Sequence, residues 1–197
     1  SLNLTMTLVS GGGFLPSDNL NDIISNNFQK IVLTMALIFS TLNFYLLFNI
    51  FNRKILFKEH REDLYLFSTV IVFILLIYFN NFKALDVIIS VVSSLANSGI
   101  SLIESDNNLA LYFLLITIVG GSLISNTSGI KLSRFYILLK ITSAEILKLI
   151  SPNSVINKTI FNSDKKITDD NIKISFLIFI SFFISLFILS SFLVLDD

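Results

Sequence analysis

The sequence predicts an all-α integral membrane fold with re-entrant half-helices and one broken transmembrane helix. Three observations carry this. The chain of 197 residues is 53% hydrophobic and only 14% charged, with a mean hydropathy of +0.79, whereas a soluble domain is about 25% charged. Long runs free of Asp, Glu, Lys and Arg recur at Ile31–Phe51, Leu64–Phe79 and, but for Lys173, Ile172–Leu195. Between them lie apolar segments of half that length that end in Gly, Ser and Asn. A hydrocarbon core of about 30 Å needs about 20 helical residues, so these segments cannot cross it. Backbone that stops at membrane depth is tolerated only where protein buries it or water reaches it.

The elements follow in order. Ser1–Ser10 is short and apolar, and Gly11-Gly12-Gly13-Phe14 ends it before the turn signal Pro16-Ser17-Asp18. Two readings fit: a loop before a helix, or a re-entrant half-helix. Asn19–Lys30 is polar. Ile31–Phe51 reads as a full span with Asn43 near its middle, and a buried Asn should face other helices rather than lipid. Asn52–Asp63 is a charged loop, in which the lone His60 reads as a solvated residue. Leu64–Phe79 is the second span.

Asp86–Ala96 is the clearest half-helix, and it ends at Asn97-Ser98-Gly99. After the polar link Ser101–Asn108 comes Leu109–Val119, which breaks at Gly120-Gly121 and resumes at Ile130. The interruption, GGSLISNTSG, has low helix propensity. Lys131 and Arg134 follow it, three apart on an expected helix face; at membrane depth they need water or partner groups, or else they snorkel to the cytoplasmic interface. Ile130–Ile150 reads as a helix leaving the membrane, ended at Pro152. Asn153–Asn171 is a polar cytoplasmic loop, and Ile172–Leu195 is the last span.

Lys and Arg placement sets the expected orientation. The Asn52–Asp63 loop carries four and the segment from Lys140 to Lys173 carries six, against Lys30 and Lys83 on the other side. The Gly-ended half-helices therefore face outside. Formal net charge is zero, so no bulk attraction to nucleic acid follows. Cys is absent, which excludes disulfides, thiolate nucleophiles and Cys-bound metal. The spans hold no cluster of His, Asp, Glu or Cys for an enzyme, and no cofactor is expected. The chain opens in mid-element and stops just after an apolar helix, as a fragment of a longer protein would.

Two segments share a plan. Leu8-Val9-Ser10-Gly11-Gly12-Gly13-Phe14 precedes Ser17-Asp18, and Leu95-Ala96-Asn97-Ser98-Gly99-Ile100 precedes Ser105-Asp106. Internal repeats are typical of transporters. A half-helix turns its partly negative C-terminal end inward, and glycines beyond it let free carbonyls face a solute. Carbonyl oxygens suit a desolvated monovalent cation, and neither end carries an acidic residue.

With these residues in view, the chain resembles the membrane subunit of the Trk/Ktr/HKT superfamily of potassium transporters, most closely the bacterial Trk type. The specific signal is Val119-Gly120-Gly121-Ser122, Ser125 and Gly129-Ile130-Lys131-Leu132-Ser133-Arg134, similar to the family's GGxxGSTxGGIK motif and its following Arg. Ile124, Asn126, Thr127 and Ser128 depart from the family's Gly, Thr, Gly and Gly, and Leu47 replaces a His common after the Asn43-Phe44 pair. The resemblance implies repeated helix–pore-loop–helix units: residues 1–52 as the pore loop and second helix of unit two, 63–150 as unit three, 151–171 as a cytoplasmic loop and 172–197 as the first helix of unit four. It implies a filter from Ser10, Gly11, Gly12 and Gly13 with Asn97, Ser98 and Gly99, holding K+ at the Gly12 and Gly99 carbonyls. It implies a gate loop containing Gly120, Gly121, Ser122, Ser125, Asn126, Thr127, Ser128, Gly129 and Lys131. A multi-pass inner (cytoplasmic) membrane protein, a homodimer and a cytoplasmic nucleotide-binding regulatory subunit complete the expectation; the transported ion is K+. A different Na+- or H+-coupled secondary transporter with broken helices is the alternative, separated from this reading by the motif alone. A scaffold or sensor would explain the spans but not two Gly-ended half-helices.

Overall fold

The computed structural model describes residues 2–13, 23–24, 26–52, 60–80, 82–103, 107–151, 159–162 and 166–195. Its elements are α-helical: α1 (Leu2–Ser10), α2 (Asn27–Thr41), α3 (Phe44–Phe51), α4 (Arg61–Tyr78), α5 (Ala84–Ala96), α6 (Asn107–Val119), α7 (Leu132–Ile150) and α8 (Asp169–Leu195), with a short 3-10 turn at Ile160–Asn162. There is no β-strand among the described residues, and the all-α class is as expected. Packing divides the chain into Ser1–Leu132 and Ser133–Asp197. The division falls inside the stretch 63–150 that the repeat pattern treats as one unit, because packing and ancestry are different criteria.

In the first unit everything is arranged about α5. Val87, Ile89, Val91, Val92, Leu95 and Ala96 are all buried, and α2, α4 and α6 pack against it. A helix buried on every side is a core helix, even at half the length of a span. Its N-terminus is tied to α2, where Lys30 Nζ donates to Asp86 Oδ1 at 2.7 Å between half-buried side chains. Asp86 also lies in the first turn, where the helix dipole favours a carboxylate. Segment 1–10 is helical, α1, and packs on α2, so of the two readings its sequence allowed the loop does not hold.

The expected span Ile31–Phe51 is corrected. It is not continuous: α2 and α3 meet at Leu42-Asn43 with a bend of 109°. Asn43 is the N-cap of α3, with Oδ1 accepting the Tyr45 N–H at 2.9 Å. An Asn inside an apolar run has two uses, interhelical glue or a cap, and here capping prevails. His60 is corrected as well. It is 5% exposed rather than solvated, because the bend brings Asn49 Nδ2 within 3.1 Å of its Nε2 and Tyr45 beside its ring.

In the second unit Lys140 Nζ donates to Thr159 O at 2.7 Å, and Tyr136 stacks on Phe161 with centroids 4.4 Å apart. The segment after α7 thus returns along that helix. Among the described residues, Asp169–Val194 of α8 is the one helix long and apolar enough to cross a membrane unaided. Its serines answer their own hydroxyls: Ser181, Ser185, Ser190 and Ser191 each donate to the carbonyl three residues back. No polar atom of these side chains then has to be met by lipid.

Candidate functional site

Both half-helices end in the left-handed region. Asn97 (φ 56°) closes α5, with Ser98 N–H bonded to Ser93 O at 3.1 Å and Asn97 N–H to Ser94 O at 3.2 Å, a Schellman pattern. Gly99 follows at φ 67°. After α1 the same alternation appears at Gly11 (φ 66°) and Gly13 (φ 70°). Counted from the helix ends, Ser10 matches Ala96, Gly11 matches Asn97, Gly12 matches Ser98 and Gly13 matches Gly99. Reading the two stretches side by side pairs Gly12 with Gly99; the backbone shifts that register by one. Helix length inside each segment sets the register, and letter similarity does not report it.

The two turns converge. A Cβ placed on Gly11 would stand 3.6 Å from Ala96 O and 4.0 Å from Asn97 O, and one on Gly13 would stand 3.2 Å from Ser98 O. The Gly11 position also lies 3.9 Å from Asn126 O, so the interruption after α6 reaches the same place. The structure therefore brings Gly11, Gly13, Asn97, Ser98 and Asn126 together, with Gly12 and Gly99 exposed beside them. Ser17-Asp18 and Ser105-Asp106 lie outside the described residues.

Residues 120–131 form a closed loop rather than a slack one. Its neck is drawn shut by Ile130 N–H to Ile118 O at 3.0 Å and Leu132 N–H to Gly121 O at 3.1 Å. Gly120 (φ 68°) and Gly129 (φ 88°) pack there so tightly that a Cβ on Gly120 would fall 2.3 Å from Ser128 O. Lys131 is corrected relative to the helical-face expectation. It precedes α7 with φ 76° and does not share a helix face with Arg134. Its Nζ reaches back into the loop, to Ser125 O and Ser125 Oγ at 3.2 Å each, to Thr127 Oγ1 at 3.1 Å, and to Thr127 O. Thr127 Oγ1 in turn accepts the Gly121 N–H at 3.0 Å. The ammonium is the hub of the loop.

This loop docks on the α2–α3 elbow. Ser122 N–H donates to Thr41 O at 3.1 Å, Asn126 N–H to Ser40 O at 3.2 Å, and Phe44 N–H to Ile124 O at 2.9 Å. Each break thus meets backbone groups that the other has freed. The start of α4 adds two carboxylates. Glu62 Oε1 accepts the Leu123 N–H at 2.7 Å, and Asp63 Oδ1 accepts the Asn43 N–H at 3.2 Å. Sequence reading left both among the charges of a loop; the acidic first turn of a helix was the signal for them. Asp63 lies in the first turn of α4 and is buried, 2% exposed. Asn49 Nδ2 lies 3.1 Å from His60 Nε2, and His60 Nδ1 faces Asp63 Oδ2 at 3.7 Å.

Helices with left-handed ends, meeting beside a closed loop that interrupts an apolar stretch, define a class: an all-α membrane fold with re-entrant half-helices. Comparison with known proteins agrees. The crystal structure of the potassium transporter TrkH from Vibrio parahaemolyticus superposes with a TM-score of 0.74 over 93% of this chain and 42% of that one, at 18% identity. The chain has the Trk-type fold that its motifs resemble. A cation transporter of Methanocaldococcus jannaschii, itself described as uncharacterized, is 29% identical over 160 residues, 79% of this chain. The chain spans about a third of that relative's length (33%). No family model matches.

Proposed function

We propose that this chain is part of the pore-forming subunit of a Trk-type transporter that takes up K+ across the cytoplasmic membrane. The observation that carries the reading is the meeting of two left-handed half-helix ends, Gly11–Gly13 and Asn97–Gly99, in one place. Backbone carbonyls at such ends, with no carboxylate among them, suit a monovalent cation stripped of water. One such turn per unit, rather than a multi-carbonyl signature, makes a looser filter than that of tetrameric potassium channels. The half-helix ends face outside, on the side poor in Lys and Arg. In this reading the structural counterpart Gly13 joins Gly12 and Gly99 as a filter glycine.

The loop 120–131 is the gate. It is one self-bonded body, and exchangeable hydrogen bonds to Thr41, Ser40, Phe44 and Glu62 attach it to its surroundings. A body held this way has two arrangements within reach of a regulator. The regulator is a cytoplasmic nucleotide-binding subunit, and the pore subunit is a homodimer, as the resemblance implies.

The test is ion uptake by the full-length protein in cells lacking their own K+ uptake systems, with K+, Rb+ and Na+ in competition. The expected result is K+-selective uptake that Gly99→Ser and Gly13→Ser each abolish or make unselective. Parent-like selectivity in both replacements would overturn the filter assignment, and no K+ uptake by the parent would overturn the transport reading.

A further inference from the structure

Behind the Asn97–Gly99 turn, α5 carries two serines whose hydroxyls do not cap their own helix. Ser93 Oγ accepts the Ile100 N–H at 3.0 Å and lies 2.8 Å from Ser98 Oγ. Ser90 Oγ accepts the Leu102 N–H at 3.2 Å and the Ser101 hydroxyl at 3.3 Å. Ser90, Ser93 and Ser98 are each 1% exposed. The neighbouring Ser94 differs, because its hydroxyl goes to Ser90 O within the helix. Positions 90 and 93 share a helix face, and Ile100 and Leu102 are two apart along the outgoing segment, so that face meets alternate N–H groups.

The consequence follows from the peptide plane. A trans peptide is flat, with its N–H and C=O pointing in opposite directions. The Ile100 N–H belongs to the same plane as the Gly99 carbonyl. Holding that N–H on Ser93 turns the Gly99 carbonyl away from α5. Ser90 does the same for the Ser101 carbonyl through Leu102. Thr7 of α1 occupies the corresponding place, three residues before the end of its helix as Ser93 is, and it too carries a hydroxyl and is buried, at 3% exposure.

We propose that Ser93, assisted by Ser90, is a selectivity-determining positioning residue: its hydroxyl aims the Gly99 carbonyl at the transported cation. The proposal rests on the filter reading above and adds to it residues that never touch the ion. A carbonyl held at one angle discriminates between cations of different radius, whereas one free to tilt follows a smaller ion inward. The hydroxyl therefore governs the K+-to-Na+ ratio more than the amount of transport.

The experiment measures competitive K+ and Na+ uptake by the full-length protein at matched membrane levels. Thermal stabilisation of the purified protein by K+ against Na+ serves as a second readout that needs no flux. Ser93→Ala should lower the K+-to-Na+ ratio at least fivefold, equivalent to about 1 kcal/mol. Ser94→Ala should leave the ratio within twofold of the parent. Ser93→Thr, the residue type α1 uses at this place, should restore it. A parent-like ratio in Ser93→Ala, or equal shifts in the Ser93→Ala and Ser94→Ala proteins, overturns the proposal. If Ser93→Ala does not reach the membrane, Ser90→Ala decides: a shift of twofold or more supports the proposal and an unchanged ratio overturns it. A parent selective for K+ combined with either negative result leaves the filter reading standing and removes only the role of the serines.

Discussion

Two apolar segments of this protein break, and they do so by opposite means. The α2–α3 elbow takes two residues, neither of them glycine. Leu42 and Asn43 are both extended, at φ/ψ of −75°/157° and −67°/125°. One side-chain cap starts the next helix. The break after α6 takes residues 120–131, with Gly120, Gly129 and Lys131 all in the left-handed region. A short break leaves few backbone groups unmatched, and a cap with one neighbour answers them. A long one frees many, and an internal donor of several hydrogen bonds can answer them together. An ammonium with three donors fits that need, which is how Lys131 is used. The elbow is also the docking surface of the loop, so the simpler break serves as the fixed partner of the complex one.

The comparison can be broken most severely at the loop's neck. Gly120→Ala adds a Cβ 2.3 Å from Ser128 O at a backbone angle that L-residues avoid. Left-handed strain and a backbone clash together predict a loss of about 3–5 kcal/mol, read as a fall in unfolding midpoint of the detergent-solubilised protein. A midpoint within a degree of the parent would mean that the neck opens freely.

Removing the hub comes next. Lys131→Met keeps the length of the side chain but leaves the Ser125 and Thr127 oxygens without their ammonium. The expected cost is about 2–3 kcal/mol, with faster amide exchange across 122–128. Lys131→Arg should not rescue it, because a planar guanidinium does not fit a site that converges on one point. Unchanged exchange in the Met variant would show that the elbow alone holds the loop.

The elbow gives the smallest expected effect. Asn43→Ala removes the bond to the Tyr45 N–H but keeps the backbone N–H that reaches Asp63. A loss of about 1 kcal/mol is expected, and Asn43→Ser should recover most of it. A cost as large as that of Lys131→Met would make the two breaks equally dependent on single side chains, and the contrast drawn here would fail.

Much of this was legible in the chain of letters. Apolar runs, their half-lengths and the clustered glycines are local signals. Helix length against bilayer thickness, and the steric freedom of glycine, act within a few residues. The interruption at Gly120–Gly129 and helix ends at Gly11-Gly12-Gly13 and Asn97-Ser98-Gly99 could be read on that basis. The elbow could not be, because Asn43 in an apolar run carries the same letter whether it caps a helix or packs inside one. Nor could the burial of His60 or the one-residue shift that pairs Gly13 with Gly99, since both depend on where helices end.

What the sequence by itself determined is where the backbone must leave the helix; what only the tertiary structure decided is what satisfies it there. Thr41 and Ser122, Phe44 and Ile124, and Glu62 and Leu123 stand about 60 to 80 residues apart in the chain yet share hydrogen bonds. The physical reason is that helix termination is driven by local geometry and propensity. A freed N–H or carbonyl in an apolar medium, by contrast, takes whichever partner the packing brings, and that partner leaves no mark on the residues beside it.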